Sequence, residues 1–256
     1  MEFVGEFAEL QQRIAVCPEL ATWRAAVVEH LAPRRGERIL EIGCGAGLLL
    51  REIGLATGPH GLAAGVDISP DQIARAVREC EEVPAVRPVV GDARALAYPD
   101  GVFDAAVSIQ VLEYIADAPT ALAELGRALK PGGRLITLAT NWTSAFWHGP
   151  EPELTAALSR SWEGHAAHPN LPARIGPMLQ RAGFAGIRQM PVPVVNAAFD
   201  DRGYAFWLAR LMAAQALQEA VPEASVRAWL DALEAAERDG EFFFSLVPIL
   251  TTARST

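Results

Sequence analysis

From Arg38 onward, short apolar runs alternate with longer segments whose apolar residues recur at three- and four-residue spacing. The runs are Arg38–Ile42, Leu62–Ile68, Arg87–Val90, Phe103–Gln110 and Gly133–Thr140. Such short, nearly continuous apolar stretches read as strands covered on both faces. Between them, helical spacing occupies Gly47–Ala56, Pro70–Glu82 and Pro119–Leu129. Strand and helix in regular alternation predict a parallel sheet with helices on both sides.

The flanks follow a different rhythm. Residues 1–32 carry helical spacing without turn signals, with Leu20, Trp23, Val27, Val28 and Leu31 on one stripe, and Pro33–Gly36 ends it. After Thr140 a connection rich in Trp and Pro (Asn141–Glu153) leads to helical stretches at Glu153–Trp162 and Leu171–Ala182. A strand candidate at Ile187–Val195 is separated from a final one, Phe242–Ala253, by a helical region over Tyr204–Arg238. That region reads as a cap on one sheet edge or as an ordinary packing helix pair. The expected organisation is one domain over 1–256. It has N-terminal helices in 1–35, a core in 36–140 and a further side in 141–256 whose helical cap spans about 200–240.

Composition narrows the function classes. The 256 residues are 51% hydrophobic and 21% charged, an ordinary globular balance with ample material for a core. Lys and Arg number 22 against 31 Asp and Glu, so the formal net charge of −9 opposes a nucleic-acid backbone at long range. Cys17, Cys44 and Cys80 stand at neither disulfide-framework nor zinc-ligand spacing, which indicates a reducing cytoplasm and no metal. Glu2, Glu6 and Glu9 occupy the place where a signal peptide needs a basic start. No apolar window approaches the roughly 20 residues of a membrane span. Every basic residue except Lys130 is arginine, so a lone arginine carries little functional weight.

The chemistry is concentrated where the first strand ends, in Glu41-Ile42-Gly43-Cys44-Gly45-Ala46-Gly47 followed at once by Leu48-Leu49-Leu50. Glycines at the carboxyl end of a parallel strand let the backbone approach a ligand closely. A dinucleotide fingerprint requires a glycine where Leu48 stands, which counts against a nicotinamide oxidoreductase. With its preceding acid and Gly-x-Gly-x-Gly, the segment resembles the first motif of the class I S-adenosylmethionine-dependent methyltransferases. Four further segments resemble that family in order and spacing. They are Gly65-Val66-Asp67-Ile68-Ser69, Gly91-Asp92-Ala93, Phe103–Ser108 continuing into Gln110-Val111-Leu112-Glu113-Tyr114, and Leu129-Lys130-Pro131-Gly132-Gly133.

The resemblance is strong over 36–140 and implies a Rossmann-like α/β fold: a seven-stranded, mostly parallel sheet with helices on both faces, its last two strands forming an antiparallel edge. It implies that S-adenosylmethionine is bound and S-adenosylhomocysteine released. Glu41, Gly43, Gly45 and Gly47 would belong to the cofactor loop, with Asp67 on the ribose, Asp92 on the adenine amine and the Ala93 N–H on the ring. Cys44, Ile68, Gln72 and Gln110 are candidate lining residues. Arg24 either holds the cofactor's carboxylate, as an N-terminal helix does in some relatives, or is a solvated helix arginine.

Methyl transfer is an in-line displacement that depends on alignment and desolvation, and no fixed catalytic constellation is required. Candidate acceptor-lining residues are Tyr114, Trp142, Phe146, Trp147, Tyr204 and Trp207, since aromatic faces suit a sulfonium and a planar or apolar substrate. The same aromatics suit a protein core. His148 and Tyr204 are the catalytic candidates, with His165 and His168 as other histidines able to serve as a base. Many relatives have a histidine at the position of Tyr114, so that base is absent here. Asn-Pro-Pro-Tyr, an Asp-Asn pair after strand five and converging cysteines are also absent, which sets aside amino-methylating, metal-dependent catechol and arsenite types. The expected function is methyl transfer to a small, partly apolar metabolite, of the ubiquinone-biosynthesis-like kind. The alternative is a methyltransferase-like protein that binds the cofactor in a structural or non-methylating role.

Overall fold

The computed structural model describes residues 6–256; Glu2, read above against a signal peptide, lies outside them. The chain begins with α1 (Glu6–Ala15) and α2 (Pro18–Leu31), then β1 (Arg38–Ile42), α3 (Leu48–Thr57), β2 (Leu62–Asp67), α4 (Pro70–Glu79) and β3 (Val86–Val90). It continues through β4 (Phe103–Ile109), α5 (Ala118–Ala128), β5 (Leu129–Thr140), β6 (Phe146–His148), α6 (Pro152–Glu163), α7 (Leu171–Arg181) and β7 (Phe184–Pro191). The last elements are β8 (Val194–Asn196), α8 (Tyr204–Gln218), α9 (Glu223–Asp239), β9 (Phe243–Leu246) and β10 (Pro248–Ser255). None of the described helices is long and apolar enough to cross a membrane.

These elements form two compact units. A sheet unit takes Arg24–Thr140, Leu171–Pro191 and Ile249–Thr256; a helical unit takes Asn141–Asn170, Val192–Pro248 and the segment ending at Trp23. The chain passes from the sheet unit to the helical unit after Thr140, where the boundary at 140 was expected, and it returns to the sheet unit twice beyond that point.

The sheet unit holds seven strands in the order β3-β2-β1-β4-β5-β10-β7. The pairs β3·β2, β2·β1, β1·β4 and β4·β5 are parallel, and β10 runs antiparallel to β7. Leu40 and Ile42 share one face with Ala64, Val66 and Ala106, packed against Leu122 and Leu125 of α5 and Ile175 and Leu179 of α7. The intervening Ile39, Ala63, Ala105 and Val107 are equally buried on the other face. There α3 lies so close that a Cβ on Gly65 would fall 2.5 Å from Leu50. The Lys130–Gly133 turn is accommodated within β5: register jumps from Phe103↔Leu129 to Ala105↔Arg134, and Gly132 takes a positive φ of 76°.

In the helical unit, α8 packs against α1, α6 and α9. Three short strands form an antiparallel sheet in the order β6-β9-β8, a feature the sequence pattern did not disclose. Both late strand candidates are in fact pairs of strands. Ile187–Val195 divides between β7 and β8, and Phe242–Ala253 between β9 and β10. Pro191, Pro193 and Pro248 lie at or between these ends, and a proline has no N–H for the ladder, so each apolar run changes sheets there. One face of the small sheet buries Trp147, Phe244, Leu246 and Val194, with Trp147 centred 4.3 Å from Phe244 and 5.2 Å from Trp229. The other face exposes Phe146, Val195 and Phe243.

This two-faced sheet yields a contrast. Phe244→Ala should destabilise the protein by about 3–5 kcal/mol, as loss of a buried ring does, whereas Phe243→Ala should change it by less than about 1 kcal/mol. Urea unfolding followed by tryptophan fluorescence measures both, and equal losses would contradict the assignment of faces.

Candidate functional site

The candidate residues of the sheet unit converge because β3, β2, β1 and β4 are parallel neighbours, so their carboxyl ends lie side by side. After Ile42 the chain must turn sharply into α3. Gly43, Gly45 and Gly47 do so with φ of 64°, 51° and 87°, in the left-handed region that favours glycine. The Val66 carbonyl accepts from both Gly43 N–H (2.6 Å) and Cys44 N–H (3.1 Å). A Cβ on Gly43 would lie 2.1 Å from Val111 Cγ2, and one on Gly47 3.0 Å from Ala76. A Cβ on Gly45 would meet nothing within 4 Å, so the loop has one open side.

Asp67 ends β2. Its Oδ2 accepts from Gly45 N–H and its Oδ1 from Ser69 N–H, each at 2.9 Å. Each oxygen retains a lone pair, so the carboxylate can still accept two hydroxyl donors. Ser69 caps α4 by accepting from Gln72 N–H at 3.3 Å, which fixes Gln72 in the first turn. Ile68 between them is 72% exposed, an apolar surface beside the carboxylate.

At the end of β3, Gly91 N–H donates to the Asp67 carbonyl at 2.9 Å. Asp92 receives the Arg94 side chain as a fork (Nε 3.1 Å, Nη2 2.7 Å) and the Arg94 N–H at 2.8 Å. The Arg94 guanidinium and N–H hold the Asp92 carboxyl below its ordinary range. Ala93 is buried in the core beneath. Sequence reasoning missed Arg94, though an arginine two residues after an acid was the available signal.

At β4, Gln110 follows the strand with φ of 52°, an uncommon conformation for a side-chain-bearing residue. Its N–H donates to the Leu138 carbonyl (2.8 Å) and its Nε2 to Thr140 Oγ1 (2.7 Å). Tyr114 closes the short turn that follows, its N–H on the Val111 carbonyl at 2.9 Å.

Two buried acids lie among these strand ends. Glu41 is 4% exposed with Oε2 lacking a hydrogen-bond partner, and burial followed by the charges of Asp67 and Glu52 raises its pKa well above the ordinary range. Glu113 is fully inaccessible; its Oε1 accepts Thr140 N–H at 3.0 Å, and burial lifts it to about 7 against hydrogen bonds that lower it. Glu113 was legible only as part of the segment after β4, because burial of a lone glutamate leaves no sequence signal. The Cys44 thiol is buried against Gly65, and burial raises its pKa. Arg24 is a partner of Glu52 (3.2 Å) rather than a solvated arginine, being 17% exposed.

The remaining candidates lie in the helical unit. Trp142 is buried with its ring 5.3 Å from Trp162, Trp147 packs as described, and Tyr204 is 1% exposed with its ring 5.4 Å from Trp23. In this structure these three are core residues. Trp207 donates to the Asp201 carbonyl at 2.7 Å and lies under Arg13. Phe146 and His148 are exposed on one face of the small sheet. His165 stacks on Trp162 at 3.7 Å, and burial lowers its pKa to about 4, which makes it a weak base at neutral pH.

Comparison with known proteins accords with this geometry. Residues 40–137 match a family described as a methyltransferase domain. The chain is 30% identical over 248 residues to an uncharacterized 37.1 kDa protein in transposon Tn4556 of Streptomyces fradiae, spanning 95% of this chain and 70% of that protein. It is 32% identical over 119 residues to the demethylmenaquinone methyltransferase of Staphylococcus aureus, covering 46% of this chain and about half (49%) of that one. The solved YcgJ protein of Bacillus subtilis superposes with a TM-score of 0.62 at 21% identity, over 91% of this chain and 97% of that chain, a likeness of fold.

The chain belongs to the class I S-adenosylmethionine-dependent methyltransferases. In this methyltransferase the glycine loop and the buried acids make separable predictions. Gly43→Ala should cost more than about 3 kcal/mol through collision with Val111, while Gly45→Ala should cost only about 1–2 kcal/mol of backbone strain; denaturant unfolding compares them. Glu113 binds its proton more tightly folded than unfolded. Its contribution is complete below the ordinary 4.5 and is lost as pH rises through about 7. From about pH 5 to about pH 8 the wild type should therefore lose up to about 3 kcal/mol relative to Glu113→Gln. A constant difference across that range would refute the raised pKa.

Proposed function

We propose that this methyltransferase binds S-adenosylmethionine on the carboxyl ends of β1–β4 and methylates a small, partly apolar metabolite. The observation that carries the proposal is the coincidence of Asp67, held by Gly45 N–H with lone pairs to spare, with the open side of the glycine loop. This arrangement suits a nucleoside: vicinal hydroxyls for the carboxylate, backbone approach at Gly45, an apolar face for Ile68. There is no anion-cradling requirement, which agrees with a cofactor lacking phosphate.

The bound cofactor supplies an electrophilic methyl on a sulfonium. The chain's own residues hold and align. Asp67 orients the ribose and Gln72 stands one turn beyond it. Asp92 accepts from the adenine amine in exchange for part of its contact with Arg94, and the Ala93 N–H faces the ring. Gln110, fixed by Thr140, faces the donor side, and Glu41 supplies negative charge beneath the loop when a cation draws its proton away. Arg24 would reach a cofactor carboxylate only by dividing its guanidinium between that group and Glu52. Catalysis then comes from alignment and desolvation.

For the acceptor, support comes from three directions. The charge of −9 disfavours nucleic acid, a relative is named for a demethylmenaquinone, and aromatic side chains dominate the candidate lining. Phe146 and His148, exposed together, are assigned to the acceptor side, with His148 as the base when a hydroxyl or acidic carbon is methylated. Trp207 and Tyr114 are assigned to lining. Trp142, Trp147 and Tyr204 are core residues of the helical unit that carries Phe146, His148 and Trp207.

Titration calorimetry should show one S-adenosylhomocysteine bound per chain, weakened roughly 100-fold or more by Asp67→Ala, since charged hydrogen bonds to two hydroxyls are lost. Unchanged binding in that variant would overturn the site assignment. Tight binding without turnover on a broad metabolite panel would favour a non-methylating role.

A further inference from the structure

We propose that Glu113 is a positioning residue, a buried latch that fixes Gln110 and Val111 for cofactor binding through its hold on Thr140. The inference rests on the cofactor site proposed above, and its geometry lies wholly within the sheet unit. Thr140 is the last residue of that unit before the chain first passes into the other, and its N–H and hydroxyl are both held by residues of the turn after β4. Its N–H goes to Glu113 Oε1 (3.0 Å) and its hydroxyl to Gln110 Nε2 (2.7 Å). Gln110 needs such a grip, because a left-handed conformation in a residue bearing a side chain persists only where its surroundings impose it. The next residue, Val111, presses on Gly43, the first glycine of the loop; a Cβ there would fall 2.1 Å from it. A displacement at Glu113 is therefore felt at Gln110 through Thr140 and at the glycine loop through Val111.

A carboxyl group suits this place better than an apolar side chain of equal size. Thr140 is fully buried at the end of β5, and its N–H donates to Glu113 Oε1. Leaving it unpaired would cost about as much as a lost hydrogen bond. Glutamine reproduces the acceptor without the ionisable oxygen, so it tells positioning from charge. If Glu113 merely filled space, methionine would serve equally well.

The test compares Glu113→Gln, Glu113→Met and Glu113→Ala with the wild type, using S-adenosylhomocysteine titration and amide hydrogen exchange at Thr140. Glutamine should keep the affinity within about twofold and keep Thr140 protected. Methionine and alanine should weaken binding about tenfold, the factor one hydrogen bond of ordinary net worth represents, and should release the Thr140 amide. Circular dichroism establishes that each variant is folded; for any that is not, Thr140→Val, which keeps the N–H for Glu113 and removes only the hydroxyl held by Gln110, replaces it and should weaken binding about tenfold. Wild-type affinity in methionine or alanine overturns the latch, as does loss of affinity in glutamine. Exchange at Thr140 needs no ligand, so a wild type that binds no S-adenosylhomocysteine would refute the cofactor site while the exchange data still judge the latch.

Discussion

Three glycines in left-handed conformations within five residues have no intrinsic reason to keep one shape, and the proposed cofactor site depends on that shape. The constraint that holds it is the acceptance of the Gly45 N–H by Asp67, reinforced by the Val66 carbonyl under Gly43 and Cys44. Both acceptors come from β2, so the loop leaving β1 takes its conformation from the neighbouring strand. The register Ile42↔Val66 is what brings them within reach. Val111, arriving from β4 on the other side, closes the loop over Gly43. The parallel pairing of three strands thus becomes the rigidity of a five-residue turn, and the carboxylate that fixes the turn is the one with lone pairs left for a ligand.

The same crowding of strand ends explains the electrostatics. Glu41, Asp67, Asp92 and Glu113 all belong to this end of the sheet, and four ionised carboxylates there would repel one another and resist burial. The structure separates them by environment. Asp92 is held ionised by Arg94 at the surface, whereas Glu41 and Glu113 are buried where the neutral form is favoured. A site that holds protons in this way can gain negative charge when a cation arrives, without carrying that charge beforehand. That response suits a sulfonium better than a phosphate.

Much of the sheet unit was legible in the sequence because its determinants are local. Short apolar runs marked β1 to β4 within a residue or so of their observed ends, and the motifs around Gly43, Asp67 and Asp92 sit at the ends of β1, β2 and β3. Legibility failed where the determinant was tertiary. The strand β6, only Phe146–His148, is defined by pairing with β9 nearly a hundred residues away and has no period of its own. The prolines that divide β7 from β8 and β9 from β10 were visible, yet a proline signals only that one ladder stops, not that another begins. Arg94, and the role of Glu113 within its motif, escaped the sequence for a related reason, since each acquires its meaning from a partner or from burial. Tyr204 and Trp147 were read as pocket or core, and the packing around them supplied what their residue type left open.

The distribution of likeness follows from the chemistry. The family match spans 40–137 and stops just short of Thr140, where the chain leaves the sheet unit. The cofactor site proposed at the ends of β1 to β4 draws its groups from a single contiguous stretch of chain. Methyl transfer asks of the rest only that an acceptor be aligned and water excluded, which many side-chain sets accomplish. The helical unit is accordingly built from separated segments, held by aromatic packing such as Trp147 on Phe244 and by single contacts such as Asn196 accepting Ala205 N–H. A unit held this way can change its exposed side chains without disturbing the glycine loop. On the proposed reading, the cofactor is recognised by groups carried in short motifs, whereas an acceptor is recognised by residues that no motif links.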